Sequence, residues 1–422
     1  MAEASARSSA DAIAWTRWVQ LVLGVVCMVA IANLQYGWTL FVNPLALQHG
    51  WTITAIQWTF TIAIATETVV PALGGGRLVD RFGPRLVWVS GPLVAIAWFV
   101  NSIAESLFLF YLDAVIAGVG AGLIFAAANG NALKWFPDRR GLATGLTAAG
   151  FAGGGAVTVV PLASVIQSSG YQTAYLWFGL GQGIVILATA LFLRAPRPGE
   201  VAAVVSAHVP QGKYDHTPRE VRASPPFWLM YAMFVMVGAG GLITIAQLAP
   251  VAMQFGIAKA PVSVLGLTLL TLTFALSFGQ VMNGLSRPIF GALSDKFGRE
   301  RTMFIAFMAE GCAIALIPFA NDPVWFVLCV GLVFFAWGEI FALFPAICAD
   351  TYGSKFASAN YGLLYTAKGA AALMVPLANV LNDATGSWTV VFAIASALNV
   401  LAALLALFVL KPARARVMAR EA

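Results

Sequence analysis

One loop pattern occurs twice in this chain of 422 residues, each time directly after a long apolar run. Residues 76–85 read GRLVDRFGPR, and residues 291–300 read GALSDKFGRE. The two aspartates, Asp80 and Asp295, lie 215 positions apart, which is about half of the chain. A duplicated surface turn at this interval predicts two similar halves joined head to tail, as in a membrane carrier.

Each residue type in the repeated loop has a physical use at a membrane surface. A glycine lets two helices approach closely, an aspartate beside a basic residue forms ion pairs, and Phe-Gly reverses the chain toward the next helix. A chance spacing of two charged turns is the alternative explanation. The residues expected to act in gating or structure are Gly76, Asp80, Arg81, Gly83, Arg85, Gly291, Asp295, Lys296, Gly298 and Arg299.

The two loops resemble the loop signature of the major facilitator superfamily, and the resemblance spans nearly the whole chain. It implies an all-α membrane protein. The composition agrees, since 60% of the residues are apolar and only 10% are charged, which excludes an ordinary soluble domain. The net charge of +6 comes from basic residues spread over short loops, a pattern that indicates membrane orientation rather than a nucleic-acid partner.

Runs of about 20 apolar residues, the length that crosses the hydrocarbon core, predict twelve transmembrane helices in two pseudo-symmetric six-helix bundles. The predicted domains are an N-terminal tail (1–17), an N-terminal bundle (18–193), a linker (194–226), a C-terminal bundle (227–410) and a C-terminal tail (411–422). The eighth predicted span covers residues 262–292. The linker is rich in proline and contains His208 and His216, so we expect little packed structure in it.

The distribution of basic residues predicts the orientation. Of the 24 lysines and arginines, this topology puts 21 on the side of the termini, two inside helices and only Lys259 on the far side. The termini are therefore expected to be cytoplasmic, in a bacterial inner membrane. The four cysteines lie in apolar runs without metal-ligand spacing, so no disulfide, metal or other cofactor is expected.

Two basic residues, Arg287 and Lys368, fall inside predicted helices, where an ionisable group is costly unless it is paired or faces water. Arg287 lies about 12 Å inward from the Asp295 loop and Lys368 about 17 Å inward from the start of its helix, against a half-thickness of about 15 Å. Both therefore sit near the midplane. Polar residues at helical spacing accompany them and predict a shared cavity: Thr273, Ser277, Gln280 and Asn283 with Arg287, and Tyr361 and Tyr365 with Lys368.

The two buried cations form a candidate anion site. A guanidinium offers a planar fork that matches a carboxylate, and an ammonium offers a compact point charge. Together they suit a small dicarboxylate, or a monocarboxylate with one charge to spare. The alternative is that each cation neutralises a buried acid, with Glu67, Glu310 and Glu339 as candidates. No phosphate loop, catalytic triad or metal cluster accompanies them, so the chain is not expected to be an enzyme.

Segments in both halves resemble the oxalate/formate antiporter family. The resemblance implies that Arg287 and Lys368 hold substrate carboxylates and that Gln35, Tyr36, Trp38 and Trp337 line the cavity. For each aromatic residue, packing between helices is the other interpretation. The segments are 33–40 (NLQYGWTL), 134–143 (KWFPDRRGLA), 283–288 (NGLSRP), 337–345, and 360–362 together with Lys368.

The aromatic set departs from what an oxalate site would require. Where tyrosine hydroxyls are expected around oxalate, this chain has Phe125, Phe151 and Phe341. Phe341 shares a helix face with the tryptophan four residues before it and extends an aromatic wall. Fewer donors favour a larger or more apolar carboxylate, such as a short monocarboxylate. Tyr361 and Tyr365 complete the predicted substrate-binding set.

The buried acids have two candidate roles. Glu67 lies about 20 Å from Asp80 along its helix, near mid-depth, and is expected either to carry a coupling proton or to bond a neighbouring helix. Glu339 points away from the Trp337 face, and Glu310 lies on a helix that is peripheral in this superfamily. Both are expected to pair within the C-terminal half.

The sequence therefore predicts a secondary active transporter of small carboxylates that works by alternating access, most simply an anion exchanger of the oxalate/formate antiporter type. A proton-coupled monocarboxylate symporter is the alternative within transport, and a non-transporting membrane sensor is the alternative outside it. The expected partners are small carboxylate anions and membrane lipid, with no nucleic acid. The working unit is expected to be a monomer.

Overall fold

The computed structural model describes residues 2–201, 211–212, 214–264 and 266–420. His208, with the rest of 202–210 in the predicted linker, and residues 421–422 of the predicted tail lie outside the described residues. The helices before the linker are α1 (Ala2–Tyr36), α2 (Thr39–His49), α3 (Ile53–Val70), α4 (Gly76–Phe82), α5 (Val87–Ile103), α6 (Leu107–Trp135) and α7 (Arg140–Phe192).

The second half repeats this helical organisation after a short helix, α8 (Pro218–Ala223), in the linker. A long helix such as α7 contains two predicted spans, because it turns at Gly170, where φ is 84°. The later helices are α9 (Pro225–Gln254), α10 (Thr271–Phe297), α11 (Arg299–Leu316), α12 (Pro323–Trp337), α13 (Ile340–Tyr352), α14 (Ala357–Ala372), α15 (Met374–Thr385), α16 (Trp388–Leu405) and α17 (Lys411–Arg420).

The helical architecture confirms the all-α fold class. Nine helices in the described part of the chain are long and apolar enough to cross a membrane. The candidate spans include neither α10, which carries Arg287, nor α14, which ends after 16 residues. The protein is thus a multi-pass membrane protein, and the count of twelve spans stays a prediction.

A hairpin replaces the predicted start of the eighth span. Strand β1 (Pro261–Val264) pairs antiparallel with β2 (Leu267–Leu270), and α10 begins at Thr271 rather than at 262. Gly266 in the connecting turn has a φ of 80°, a backbone conformation that favours glycine. A short apolar run is ambiguous between helix and strand, so the expected boundary was wrong where a glycine broke the run.

Helices also extend into the predicted tails. α1 and α17 include most of the residues expected to be tails. Arg17 of α1 pairs with Asp138 in the loop before α7 (2.7 Å), and Arg414 of α17 donates to Thr351 near the end of α13 (2.6 Å). Both described ends of the chain therefore lie on one side of the molecule, which we call the termini side.

The described parts of the linker are ordered by capping and ion pairing, contrary to the expectation of little packed structure. At the start of α8, the Glu220 carboxylate accepts a hydrogen bond from the backbone N–H of Thr217 (2.7 Å), which forms a capping box. Earlier in the linker, the Arg194 guanidinium donates to Glu200 (2.6 Å) and lowers the pKa of that carboxyl to about 2.

Several helices are interrupted along their length. α1 and α2 are separated by residues 37–38, α12 and α13 by residues 338–339, and α3 passes into a π-helical turn, Pro71–Gly75. Interruptions of this kind re-aim side chains and are common where a carrier binds its substrate. They place Tyr36 and Trp337 at helix ends that face the centre of the molecule.

The two halves meet along two close helix pairs. In the first, α7 runs antiparallel to α10, and a Cβ at Gly141 would lie 2.4 Å from the Gly291 carbonyl oxygen. A Cβ at Gly145 would lie 2.3 Å from the Arg287 carbonyl oxygen. In the second pair, a Cβ at Gly76 would lie 2.5 Å from a carbonyl oxygen of α14. Side chains do not fit at these distances, so glycine sets the spacing between the halves.

The variant Gly145→Ala tests this spacing. Its methyl group would overlap the Arg287 carbonyl, and such overpacking costs about 1–3 kcal/mol. The control Gly153→Ala, on the same helix, puts the same methyl group where no heavy atom lies within 4 Å. We expect the melting temperature of the purified protein to fall by several degrees for G145A and not for G153A. Equal melting temperatures would contradict the close packing.

Candidate anion-binding site

The first buried cation, Arg287, lies in the interior of α10 with 1% of its surface exposed. Its Nη1 donates to the carbonyl oxygen of Ala148 on α7 (2.6 Å), and its Nη2 donates to Oδ1 of Asn283 one turn earlier (3.1 Å). Tyr36 also interacts with this guanidinium. Arg287 is thus held by neutral oxygen atoms and keeps its full positive charge inside the membrane region.

The second buried cation, Lys368, lies on α14 and is 5% exposed. Its Nζ donates to the Tyr365 hydroxyl (3.0 Å) and to Oε1 of Gln35 on α1 (3.3 Å). A carboxylate oxygen of Glu67 on α3 lies 3.6 Å away. Lys368 therefore connects the C-terminal half to two helices of the N-terminal half.

A single aromatic ring brings the two cations together. The guanidinium carbon of Arg287 lies 4.6 Å from the centroid of Phe341, and Nζ of Lys368 lies 5.8 Å from the same centroid. Such contacts stabilise a desolvated cation through the quadrupole of the ring. Trp337 packs edge-on against Phe341, with centroids 5.5 Å apart. The predicted aromatic wall therefore stands beside both charges.

The remaining predicted aromatic residues surround Lys368. Phe125 stacks on Tyr365 at 4.3 Å and lies 6.3 Å from Tyr361, so α6 and α14 meet through their rings. Phe151 of α7 lies 5.8 Å from Nζ of Lys368 and packs against Tyr36. These residues form a buried, largely aromatic cluster around Lys368.

Some predicted residues lie elsewhere. Trp38 lines a separate small cavity of the N-terminal half, together with Asn33, Asp113 and Tyr175. On α10, Thr273 and Ser277 are exposed, whereas Gln280 is half-buried. The polar stripe predicted on α10 therefore reaches the site only at its inner end, where Asn283 supports Arg287.

The structure answers in part whether each cation is neutralised by a buried acid. Lys368 has an acidic neighbour in Glu67, as that alternative requires. Glu310 and Glu339 are fully buried within the C-terminal half, where Glu310 lies beside Asn399 and Gly240. In the described part of the chain, the ion pairs of the site include none to Arg287, so one cation of the pair carries no counter-charge.

Each repeated loop caps a helix of the other half on the termini side. Oδ1 and Oδ2 of Asp295 accept the backbone N–H groups of Gly141 (2.9 Å) and Leu142 (2.8 Å) at the start of α7. Asp80 accepts the N–H of Ala359 at the start of α14 (3.0 Å) and pairs with Lys134 (2.8 Å). A carboxylate at a helix N-terminus is stabilised by the free N–H groups and by the helix dipole.

The other loop residues have matching positions in the two copies. Gly83 and Gly298 both have positive φ, 83° and 94°, and so permit the chain reversal. Arg81 and Lys296 are exposed and lie over the ring of the next phenylalanine, at 5.3 and 5.4 Å. Arg85 donates to the Leu193 carbonyl (2.9 Å).

An ion-pair network joins the two halves and was not predicted from the sequence. Asp350 at the end of α13 accepts hydrogen bonds from Arg140 of α7 (2.8 Å) and Arg299 of α11 (2.7 Å), and Arg299 also pairs with Asp295 (2.6 Å). Its signal was present, since Arg140 and Asp350 each flank a predicted span by one residue. Burying these charges is costly, and the cost is offset only while Asp350 keeps its basic partners from both halves, so the network holds the halves together.

The geometry supports reversible binding of an anion rather than chemistry on it. Two cations, an amide, hydroxyl groups and aromatic rings converge from both halves on one buried point. In the residues that the structure describes, no group of three or more histidine, cysteine or acidic side chains is placed to hold a metal. On the termini side of this point, the two aspartate caps join the halves.

Comparisons with known proteins agree with this arrangement. The sequence matches the family model of the Major Facilitator Superfamily over residues 21–283 and 261–421. It is 33% identical to the "Oxalate:formate antiporter" of Oxalobacter formigenes, covering 93% of this chain and 91% of that protein. It is 25% identical to "Monocarboxylate transporter 13" of Bos taurus, covering 81% and 77%. The human organic anion transporter MFSD10 has the same fold, with a TM-score of 0.67 at 14% identity, covering 93% and 98%.

The variant Asp295→Asn is expected to open the termini side. It removes the charge that faces the N-terminus of α7 and Arg299, and hydrogen bonds to a charged group are worth about 1.5–3 kcal/mol. The measurement is the distance between spin labels placed on the two halves at this side, by pulsed electron paramagnetic resonance. Asp138→Asn is the control, because its partner Arg17 lies in the same half. A distance distribution that stays short in D295N would contradict the capping role.

Proposed function

Because the chain belongs to the Major Facilitator Superfamily, and is therefore a membrane transporter and not an enzyme, we propose that it carries small carboxylates by alternating access. The observation that carries this proposal is the pair of buried cations, Arg287 and Lys368, beside the single ring of Phe341. A carboxylate between them would replace the neutral oxygen atoms that now hold the guanidinium. Charge-assisted bonds of this kind are about twice as strong as neutral ones.

The proposed transport mode is exchange of one anion for another. An empty site must move a net positive charge through the closed state, whereas a bound anion neutralises that charge, so loaded transitions are favoured. The similarity to an oxalate:formate antiporter over 93% of the chain supports this mode. Two bundles, 18–193 and 227–410, would rock about the site, and the glycine contacts between α7 and α10 are suited to such a movement.

The substrate proposed is a small carboxylate with an apolar part. Phe125, Phe151 and Phe341 offer aromatic surface where tyrosines would offer hydroxyl donors. Oxalate, with two carboxylates, would therefore leave more of its oxygen atoms without a donor than a short monocarboxylate would. The similarity to a monocarboxylate transporter is in line with this preference.

One observation favours a second candidate, proton-coupled symport of a monocarboxylate. Glu67 is buried beside Lys368 and is the candidate residue for carrying a coupling proton. The termini are proposed to be cytoplasmic, because the basic residues collect on the termini side. The working unit is proposed to be a monomer in a bacterial inner membrane.

Replacement of either cation by glutamine is expected to abolish carboxylate binding. Removing one partner of a buried charge pair costs about 2–5 kcal/mol, which lowers affinity by a factor of about 30 or more. The measurement is the thermal shift of purified R287Q and K368Q with a panel of small carboxylates. Arg194→Gln, at a basic residue that pairs with Glu200 in the linker, is the control. A variant that binds normally would remove that residue from the site.

Proteoliposomes distinguish exchange from symport. In an exchanger, labelled carboxylate inside the vesicle is expected to leave rapidly only when unlabelled carboxylate is present outside, and dissipating a pH gradient has no effect. In a proton symporter, uptake collapses when the pH gradient is dissipated and no counter-anion is needed. Rapid efflux without external anion would contradict obligate exchange.

A further inference from the structure

Glu67 is fixed at the site by contacts with both halves of the protein. It is 3% exposed on α3, and its Oε1 accepts a hydrogen bond from the Tyr365 hydroxyl at 2.9 Å while lying 3.6 Å from Nζ of Lys368. Behind it, α6 packs directly on the backbone of α3, since a Cβ at Gly122 would lie 2.6 Å from the Glu67 carbonyl oxygen. The α3 backbone that carries the carboxylate is therefore held closely against α6.

The position of Glu67 is one that a substrate carboxylate would be expected to take. Lys368 meets three oxygen atoms, from Gln35, Tyr365 and Glu67, and only the last carries a charge. Arg287, which also lies beside Phe341, meets oxygen atoms of Ala148 and Asn283, which are neutral. The protein thus already supplies an anion to one cation and leaves the other for a ligand.

Formal charges give the consequence. With Glu67 ionised, the site holds two positive charges and one negative charge, so one bound monoanion makes it neutral and one bound dianion leaves it with a net negative charge. A net charge of either sign in a closed, apolar chamber is costly. Without Glu67, the balance would reverse, and a dianion would be the neutral match.

We propose that Glu67 is the resident counter-anion of Lys368 and makes the site select monocarboxylates over dicarboxylates of the same size. This inference rests on the proposed carboxylate function and adds the charge class of the substrate. Glu67 acts by setting the charge that the ligand must supply, with Arg287 as the cation that remains for the ligand carboxylate. The Tyr365 hydroxyl donates a hydrogen bond to the Glu67 carboxylate and so fixes its position beside Lys368.

The test compares two three-carbon anions, propionate with one charge and malonate with two, at neutral pH. Dissociation constants are measured for the full-length purified protein by thermal shift or calorimetry. We expect Glu67→Gln to lower the ratio of the malonate constant to the propionate constant by at least tenfold. Because the ratio is compared between variants, differences in the size of the two anions cancel.

Two further variants keep the result interpretable. Glu310→Gln makes the same change at a buried carboxyl of the C-terminal half and is expected to leave the ratio as in the wild type. Glu67→Asp keeps the charge, so it is expected to retain the preference for propionate, and it serves as the second readout if E67Q does not fold. The proposal would be overturned if E67D lowered the ratio as much as is expected for E67Q.

The outcomes separate this inference from the function on which it rests. If the wild-type protein binds both anions and E67Q leaves their ratio unchanged, Glu67 carries no charge in the site and the counter-anion role is wrong, while carboxylate transport stands. If the wild type binds neither anion, and the other small carboxylates of the panel also fail, the proposed function itself is wrong. A preference for malonate in the wild type would also overturn the proposal.

Discussion

The burial of Arg287 is the constraint on which the rest of the structure depends. An unpaired guanidinium at membrane depth is tolerated only where polar groups replace its water. Here those groups come from its own helix and from the facing helix of the other half, through Asn283 and the Ala148 carbonyl. The charge can be satisfied only when α7 and α10 are in close contact, and glycines at the contact make that possible. The binding site and the packing of the two halves therefore both require close contact between α7 and α10.

Closure of the termini side follows from a second use of charge. Asp80 and Asp295 each cap a helix of the opposite half, so each contact joins a loop in one half to the start of a helix in the other. Contacts of this kind are strong while the helix end is in reach and vanish within a few ångströms, because the dipole field falls off within one turn. They suit a two-state gate better than an apolar contact surface does, because an apolar surface would resist opening gradually along its length.

The sequence was sufficient for the family, the all-α fold class and the duplicated loop, and the family match and fold similarity confirm these. Spans were predictable because membrane-crossing helices need a fixed apolar length, whereas the 261–270 hairpin, helical tails and ordered linker parts depend on local turns and caps. Arg287 and Lys368 stood out as charges in apolar runs. Their partners did not, since Ala148 contributes only a backbone carbonyl and Glu67 faces Lys368 from a helix 301 positions away.

The arrangement also explains how binding at the centre can reach the gate. Arg287 bonds to α7, whose N-terminus Asp295 caps, and Lys368 lies on α14, whose N-terminus Asp80 caps. A ligand that draws Arg287 away from the Ala148 carbonyl removes one of the bonds that hold α7 against α10, the same pair that the Asp295 cap closes. A ligand shifts a conformational equilibrium only through a difference in its contacts between the two states. Here that difference lies in the helix pairs themselves, so no further element is required to transmit it.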